Sequence, residues 1–308
     1  LTAIIAKTFA AGLTETAGLV FALGSFAAGF AFRPVGALIF GRVGDRRGRK
    51  GAFLVTISLM GFATFAIGLL PTYQQAGIVS PILFICLRLL QGIALGGEWG
   101  GAAIYMAEHT RPAQRGGMTS WLGSSAAFGL MAAILVVLAT RTVVGEASFA
   151  AWGWRIPFLG SIILLAGSVL IRLKLHESPA FRQMKEEGAR STAPYTEAFL
   201  RWKNLRVVLI ALFAVMVAQG AVWYTSFFYA QVFIERVIKV DPATVNEIIL
   251  AVVIASAPLY IFFGWLSDRV GRKTVMIAGM LVFTLSGFWG FREITHFGNP
   301  APEYSLAH

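Results

Sequence analysis

Gly41-Arg42-Val43-Gly44-Asp45-Arg46-Arg47-Gly48-Arg49-Lys50 returns 223 residues later as Gly264-Trp265-Leu266-Ser267-Asp268-Arg269-Val270-Gly271-Arg272-Lys273. Gly, Asp, Arg, Gly, Arg and Lys coincide at six of the ten positions. Repetition over such a distance is the mark of a chain built from two related halves. Each copy lies between two long apolar blocks, so both read as tight reversals between membrane-crossing helices. Gly41 and Gly264 would let backbones approach, and Gly48 and Gly271 would supply the positive φ that a short turn needs. Asp45 and Asp268 can accept hydrogen bonds from a helix N-terminus or from a neighbouring Arg. The basic members Arg46, Arg49, Lys50, Arg269, Arg272 and Lys273 would hold each turn at an anionic leaflet. A solvated basic turn kept for topology alone explains the cations but not the repeated Gly and Asp.

Eight apolar blocks surround these turns, near residues 17–40, 51–70, 81–107, 117–140, 152–174, 207–234, 244–266 and 274–291. Each reaches the roughly 20 residues that cross about 30 Å of hydrocarbon as a helix. Residues 1–10 resemble the end of a further span. Lipid offers no partner to a free backbone group, and blocks this long without period-two alternation rule out a barrel. The expected fold is an all-α, polytopic helical membrane protein. Composition agrees: 57% of the 308 residues are apolar and 13% charged, against about 25% charged in soluble domains.

The net charge of +11 would suggest nucleic acid if it were spread over a solvated face. Its placement says otherwise. The connections at 41–50, 108–116, 172–206 and 267–273 hold 18 of the 26 Lys and Arg, and the alternate connections hold six. That alternation is the positive-inside pattern and puts the basic loops in the cytoplasm. Nucleic acid is not an expected partner; the lipid bilayer is. The organisation reads as a bundle over 1–174, a charged cytoplasmic linker over 175–206 that can carry a surface amphipathic helix, and part of a second bundle over 207–308. Cys86 is the one cysteine and lies inside an apolar block, so no disulfide framework or cysteine metal site is expected. The chain opens at Leu1 inside an apolar stretch and reads as a fragment.

The repeated decapeptide resembles the signature loop of the major facilitator superfamily, found between its second and third and its eighth and ninth helices. Arg88-Leu89-Leu90-Gln91-Gly92-Ile93-Ala94-Leu95-Gly96-Gly97-Glu98, Ala151-Trp152-Gly153-Trp154-Arg155-Ile156-Pro157-Phe158 and Leu175-His176-Glu177-Ser178-Pro179 are similar to the metabolite:proton symporter branch, related to citrate, 2-oxoglutarate, shikimate and proline/betaine carriers. The resemblance implies twelve helices in two halves, of which this chain supplies the end of the first through the ninth. It further implies a monomer in the bacterial inner membrane, without cofactor or metal. Its partners would be a small metabolite, an organic acid anion or zwitterion, and protons.

Ionisable residues inside a span are costly and so are functional candidates. Arg88 and Glu98 share one span, ten residues and about 15 Å of rise apart, too far to pair along one helix. The functional reading makes Arg88 the anchor of an anionic group and Glu98 a proton carrier or, nearer the cytoplasmic side, a gate. The resemblance links the arginine at the Arg88 position to proton coupling. The structural alternative is an arginine held by carbonyls and a glutamate sealed in an interhelical pair. Gln91, on the same helix, is expected on the substrate and proton pathway with them. Gly92, Gly96 and Gly100 form a smooth stripe, read as a packing surface. Arg33, before Pro34, either joins the pathway or snorkels to the interface. Gln219, Trp223 and Tyr224 form a polar patch that faces substrate or packs as aromatics. Arg155, beside Trp152 and Trp154, reads as an interfacial anchor in an aromatic belt.

Enzyme readings find little support. His109, His176, His296 and His308 lie outside the spans without metal-ligand spacing, and neither a Gly-x-Ser-x-Gly elbow nor a phosphate loop occurs. Without an ATP site, energy would come from an ion gradient, and symport by alternating access is the expected function. Drug:proton export is the other carrier reading. A channel or an intramembrane enzyme are the readings outside the carrier class.

Overall fold

The structure is a computed structural model that describes residues 2–187 and 194–298. Among the described residues there is no strand, and eight helical stretches are long and apolar enough to cross a membrane. The protein is a multi-pass helical membrane protein. We number the main helices α1 (Thr2–Phe9), α2 (Glu15–Ala31), α3 (Arg33–Arg47), α4 (Arg49–Leu69), α5 (Val79–His109), α6 (Arg115–Val144), α7 (Arg155–Lys174) and α8 (Pro179–Glu186). They continue with α9 (Trp202–Glu235), α10 (Pro242–Val270) and α11 (Arg272–Gly298). Two compact units emerge, Leu1–His109 with Ala132–Thr192 and Thr110–Met131 with Ala193–His308, so α6 contributes to both.

In the first unit, α2 and α3 form one span broken at Phe32, where Pro34 offers no N–H to the preceding turn. This broken span lies against α5 almost backbone to backbone. A Cβ at Gly92 would collide with the carbonyl oxygen of Gly29, one at Gly96 with that of Arg33, and one at Gly36 with that of Ile93. The glycine stripe is thus a packing surface at Gly92 and Gly96, as lipid-embedded helices need where no hydrophobic effect draws them together. Gly100 faces open space instead. At one end of the unit Phe9, stacked on Phe84 at 4.6 Å, meets Trp154 edge-on at 5.7 Å, forming an apolar plug with Ile5, Ile67, Leu70 and Phe149.

Trp154 corrects the aromatic-belt expectation. A π-helical turn at Phe149–Gly153 swings its indole into this plug, and Trp152 is the one left exposed. Arg155 donates from Nη2 to the Leu70 carbonyl at 2.8 Å and so caps the C-terminus of α4, while its guanidinium lies over Trp154.

In the second unit, α6 meets α10 at a close crossing: a Cβ at Gly264 would strike Ser120, and one at Gly116 would strike Ser267. Ser124 donates across the crossing to the Ala257 carbonyl at 2.8 Å. Helix α9 is interrupted by two π-helical stretches, Ile210–Val217 and Thr225–Tyr229.

Candidate functional site

The two copies of the decapeptide reverse on glycines with φ of 109° at Gly48 and 100° at Gly271, values that side-chain-bearing residues resist. Their aspartates act differently. Asp45 pairs with Arg49 at 2.5 Å, and Arg49 reaches on to Glu108 at 3.4 Å. Asp268 accepts from the backbone N–H groups of Gly116 and Gly117, both at 2.7 Å, and caps the N-terminus of α6. Arg272 approaches the same carboxylate at 3.4 Å and also donates to the Pro112 carbonyl.

In the first copy the cap on the following helix comes from far along the chain. Glu177 Oε1 accepts from Arg49 N at 2.8 Å and from Lys50 N at 3.3 Å. The Lys50 ammonium donates to the Leu173 carbonyl at 2.6 Å. Gly48 must be small as well as left-handed, because a Cβ there would collide with the Glu177 carboxylate. Gly41 is a correction: a Cβ there would meet nothing within 4 Å, because α3 and α5 part at this level around a cavity. Arg46 and Lys273 are exposed, and Arg269 lies over the Trp265 ring at 3.9 Å.

Of the residues expected on the pathway, the structure brings three together. Arg33, Arg88 and Gln91 line a cavity of about 110 Å³ with Phe26, Gly29, Phe30, Met60, Gly92 and Leu95. The Pro34 break and the glycine crossing place them there. Arg88 donates from Nη1 to Gln91 Oε1 at 3.0 Å, and Gln91 donates in turn to Thr64 Oγ1 at 2.9 Å. Thr64 spends its own hydroxyl proton on the Met60 carbonyl, which fixes the direction of the chain. Among the described residues Arg88 has no carboxylate partner, and its buried Nε has no acceptor. Arg33 stands over the Phe30 ring at 3.4 Å. The cavity therefore presents guanidinium charge held by neutral dipoles, the chemistry that receives a carboxylate.

Glu98 does not line this cavity. Its Oε1 accepts from Arg172 Nη2 at 2.7 Å, between α5 and α7, which is the interhelical pair weighed as the alternative. In the second unit Trp223 donates from Nε1 to the Tyr260 hydroxyl at 3.1 Å and packs edge-on to Tyr224, while Gln219 is exposed on the same helix. Sequence reasoning missed Thr64, Glu108 and Arg172 as partners; of these, Arg172 lay in a basic connection and was counted toward topology alone.

Residues 13–197 match the sugar (and other) transporter family, and residues 211–300 match the Major Facilitator Superfamily. This chain belongs to the sugar (and other) transporter family, within the major facilitator superfamily. Members of that family are transporters rather than enzymes.

The facilitator chain is 34% identical to the shikimate transporter of Escherichia coli over 284 residues, 92% of this chain and 64% of the relative. It is 34% identical to the proline/betaine transporter of E. coli, covering 92% of this chain and 58% of that protein. Against the citrate-proton symporter of Klebsiella pneumoniae identity is 33%, with 92% and 63% covered. The facilitator chain thus spans 56–64% of the length of curated relatives such as these. The xylose transporter XylE from E. coli, in a partially occluded inward-open conformation, shares its fold at TM-score 0.60, 18% identity and 89% coverage of this chain, 70% of that one.

Proposed function

We propose that the full-length protein is a secondary active transporter of the bacterial inner membrane, with the 175–206 linker cytoplasmic between two bundles. It carries a small organic acid anion or zwitterion in symport with protons by alternating access, working as a monomer. Relatives named for shikimate, proline/betaine and citrate-proton transport support the substrate class, since each of those solutes carries a carboxylate.

The observation that carries the reading is Arg88 in its cavity without a carboxylate partner among the described residues. In this reading Arg88, with Arg33 beside it and Gln91 behind it, anchors the substrate carboxylate. Gln219, Trp223 and Tyr224 form the substrate-facing patch of the other bundle. The two decapeptide turns act as latches, and Glu98 serves as a gate on the cytoplasmic side rather than as the proton carrier. Two guanidiniums at one cavity disfavour export of hydrophobic cations.

The test is uptake of labelled shikimate, proline, betaine and citrate into proteoliposomes holding the full-length protein. An inward proton gradient should accelerate uptake of at least one solute and alkalinise the outside. Uptake unchanged by collapsing the gradient would refute proton coupling.

A further inference from the structure

Arg172 was counted with the cytoplasmic cations, yet its guanidinium is committed at three points. Nη2 donates to Glu98 on α5 at 2.7 Å, Nη1 donates to the Phe53 carbonyl on α4 at 3.1 Å, and the group lies over the Phe53 ring at 4.7 Å. Its side chain is 19% exposed and that of Glu98 21%. Phe53 is buried and forms one wall of a second cavity, about 240 Å³, whose other walls include Phe40, Gly97, Gly101 and Arg49. Arg49 is engaged by Asp45 and Glu108 and does not compete for Glu98. A contact that stayed shut permanently would cost less as two apolar side chains, because both charges must be desolvated to meet here. Charge is favoured where the partners must part into water and meet again.

We propose that Glu98, Arg172 and Phe53 form a clasp that closes the second cavity and opens during the transport cycle. Arg172 is its positioning residue. Only the cycle rests on the transport reading; the clasp is a property of this bundle. Release of Arg172 from Glu98 frees the Phe53 ring, which exposes the space beside Gly101, where a Cβ would lie 3.4 Å from that ring.

The experiment places a single thiol there, Gly101→Cys with Cys86→Ser, in the full-length protein in inverted membrane vesicles. Labelling by a membrane-impermeant maleimide is followed together with KM and Vmax of uptake. Glu98→Gln and Arg172→Gln should each accelerate labelling at least about tenfold, as loss of one partner from a partly buried pair implies. The charge swap Glu98→Arg with Arg172→Glu should restore slow labelling, and Vmax should change with KM held, since the pair lies outside the Arg88 cavity. Should the single variants fail to insert, Glu98→Met with Arg172→Met removes the charges without stranding one; an apolar pair stays shut, so labelling as slow as the parent's with a reduced Vmax is expected. Labelling unchanged in the inserted single variants, a swap no slower than the singles, or a double Met variant that keeps the parent's Vmax overturns the clasp. Because labelling needs no substrate, failure of the symport reading leaves this result readable.

Discussion

Replacing Asp268 by Ala removes the acceptor of two backbone N–H groups, Gly116 and Gly117, both at 2.7 Å, from a carboxylate only 8% exposed. Hydrogen bonds to a charged group are worth about 1.5–3 kcal/mol each, and an N-cap about 1, but two bonds to one carboxylate overlap. We therefore expect a loss of about 2–4 kcal/mol for Asp268→Ala. Asp268→Asn keeps one acceptor oxygen but loses the charge facing the α6 N-terminus, so about half that loss is expected. At about 2–4 °C per kcal/mol, Asp268→Ala should unfold roughly 4–16 °C earlier and Asp268→Asn should fall between it and the parent. The assay is tryptophan fluorescence of the full-length protein in detergent, heated at one fixed rate because such transitions are commonly irreversible. Arg269→Ala serves as control, since that side chain is exposed and lies over the Trp265 face rather than at a helix end. An Asp268→Ala transition within about 1 °C of the parent would refute the capping argument.

Arg88→Gln should lower uptake of the transported anion about 100-fold, the equivalent of one charge-assisted contact, with normal protein in the membrane; Arg88→Lys should keep part of it. Uptake counted per inserted molecule decides. Gly92→Val should abolish folding, read as protease sensitivity, whereas Gly100→Ala, which faces open space, should be silent. Glu177→Ala should cost about 1–2 kcal/mol through the lost cap on α4, seen as earlier thermal unfolding. Trp223→Phe and Tyr260→Phe remove the same 3.1 Å hydrogen bond, so the double variant should cost no more than either one, about 1 kcal/mol in a thermal cycle.

The fold was legible because membrane spans announce themselves by length and apolarity: six of the eight expected blocks fall within spanning helices of the structure, 51–70 runs one residue past its helix and 152–174 begins three residues before its own. The turns were legible because glycine is the residue that takes positive φ cheaply, as Gly48 and Gly271 do. Partner choice was not legible. Asp45 and Asp268 occupy the same motif position, yet one turns to an arginine four residues on and the other to a helix end 151 residues away. Nothing local distinguishes them, because the donor that wins is set by which helix terminus lies near. The placement of Glu98 against Arg172, 74 residues distant, was hidden for the same reason. Of the candidate site, the meeting of Arg33 with Arg88 was legible only as two separate oddities in apolar spans; the glycine crossing that joins them needed coordinates.

Each π-helical stretch in α9 takes up more residues per turn than the α-helix around it, so the face that a residue presents slips in phase across Ile210–Val217 and again across Thr225–Tyr229. A homologous span without those wide turns has fewer residues over the same rise. Alignments that forbid gaps inside membrane spans would then match Gln219, Trp223 and Phe228 to the wrong columns. Residue equivalences along this helix should be taken from superposed backbones, with a gap admitted at each wide turn.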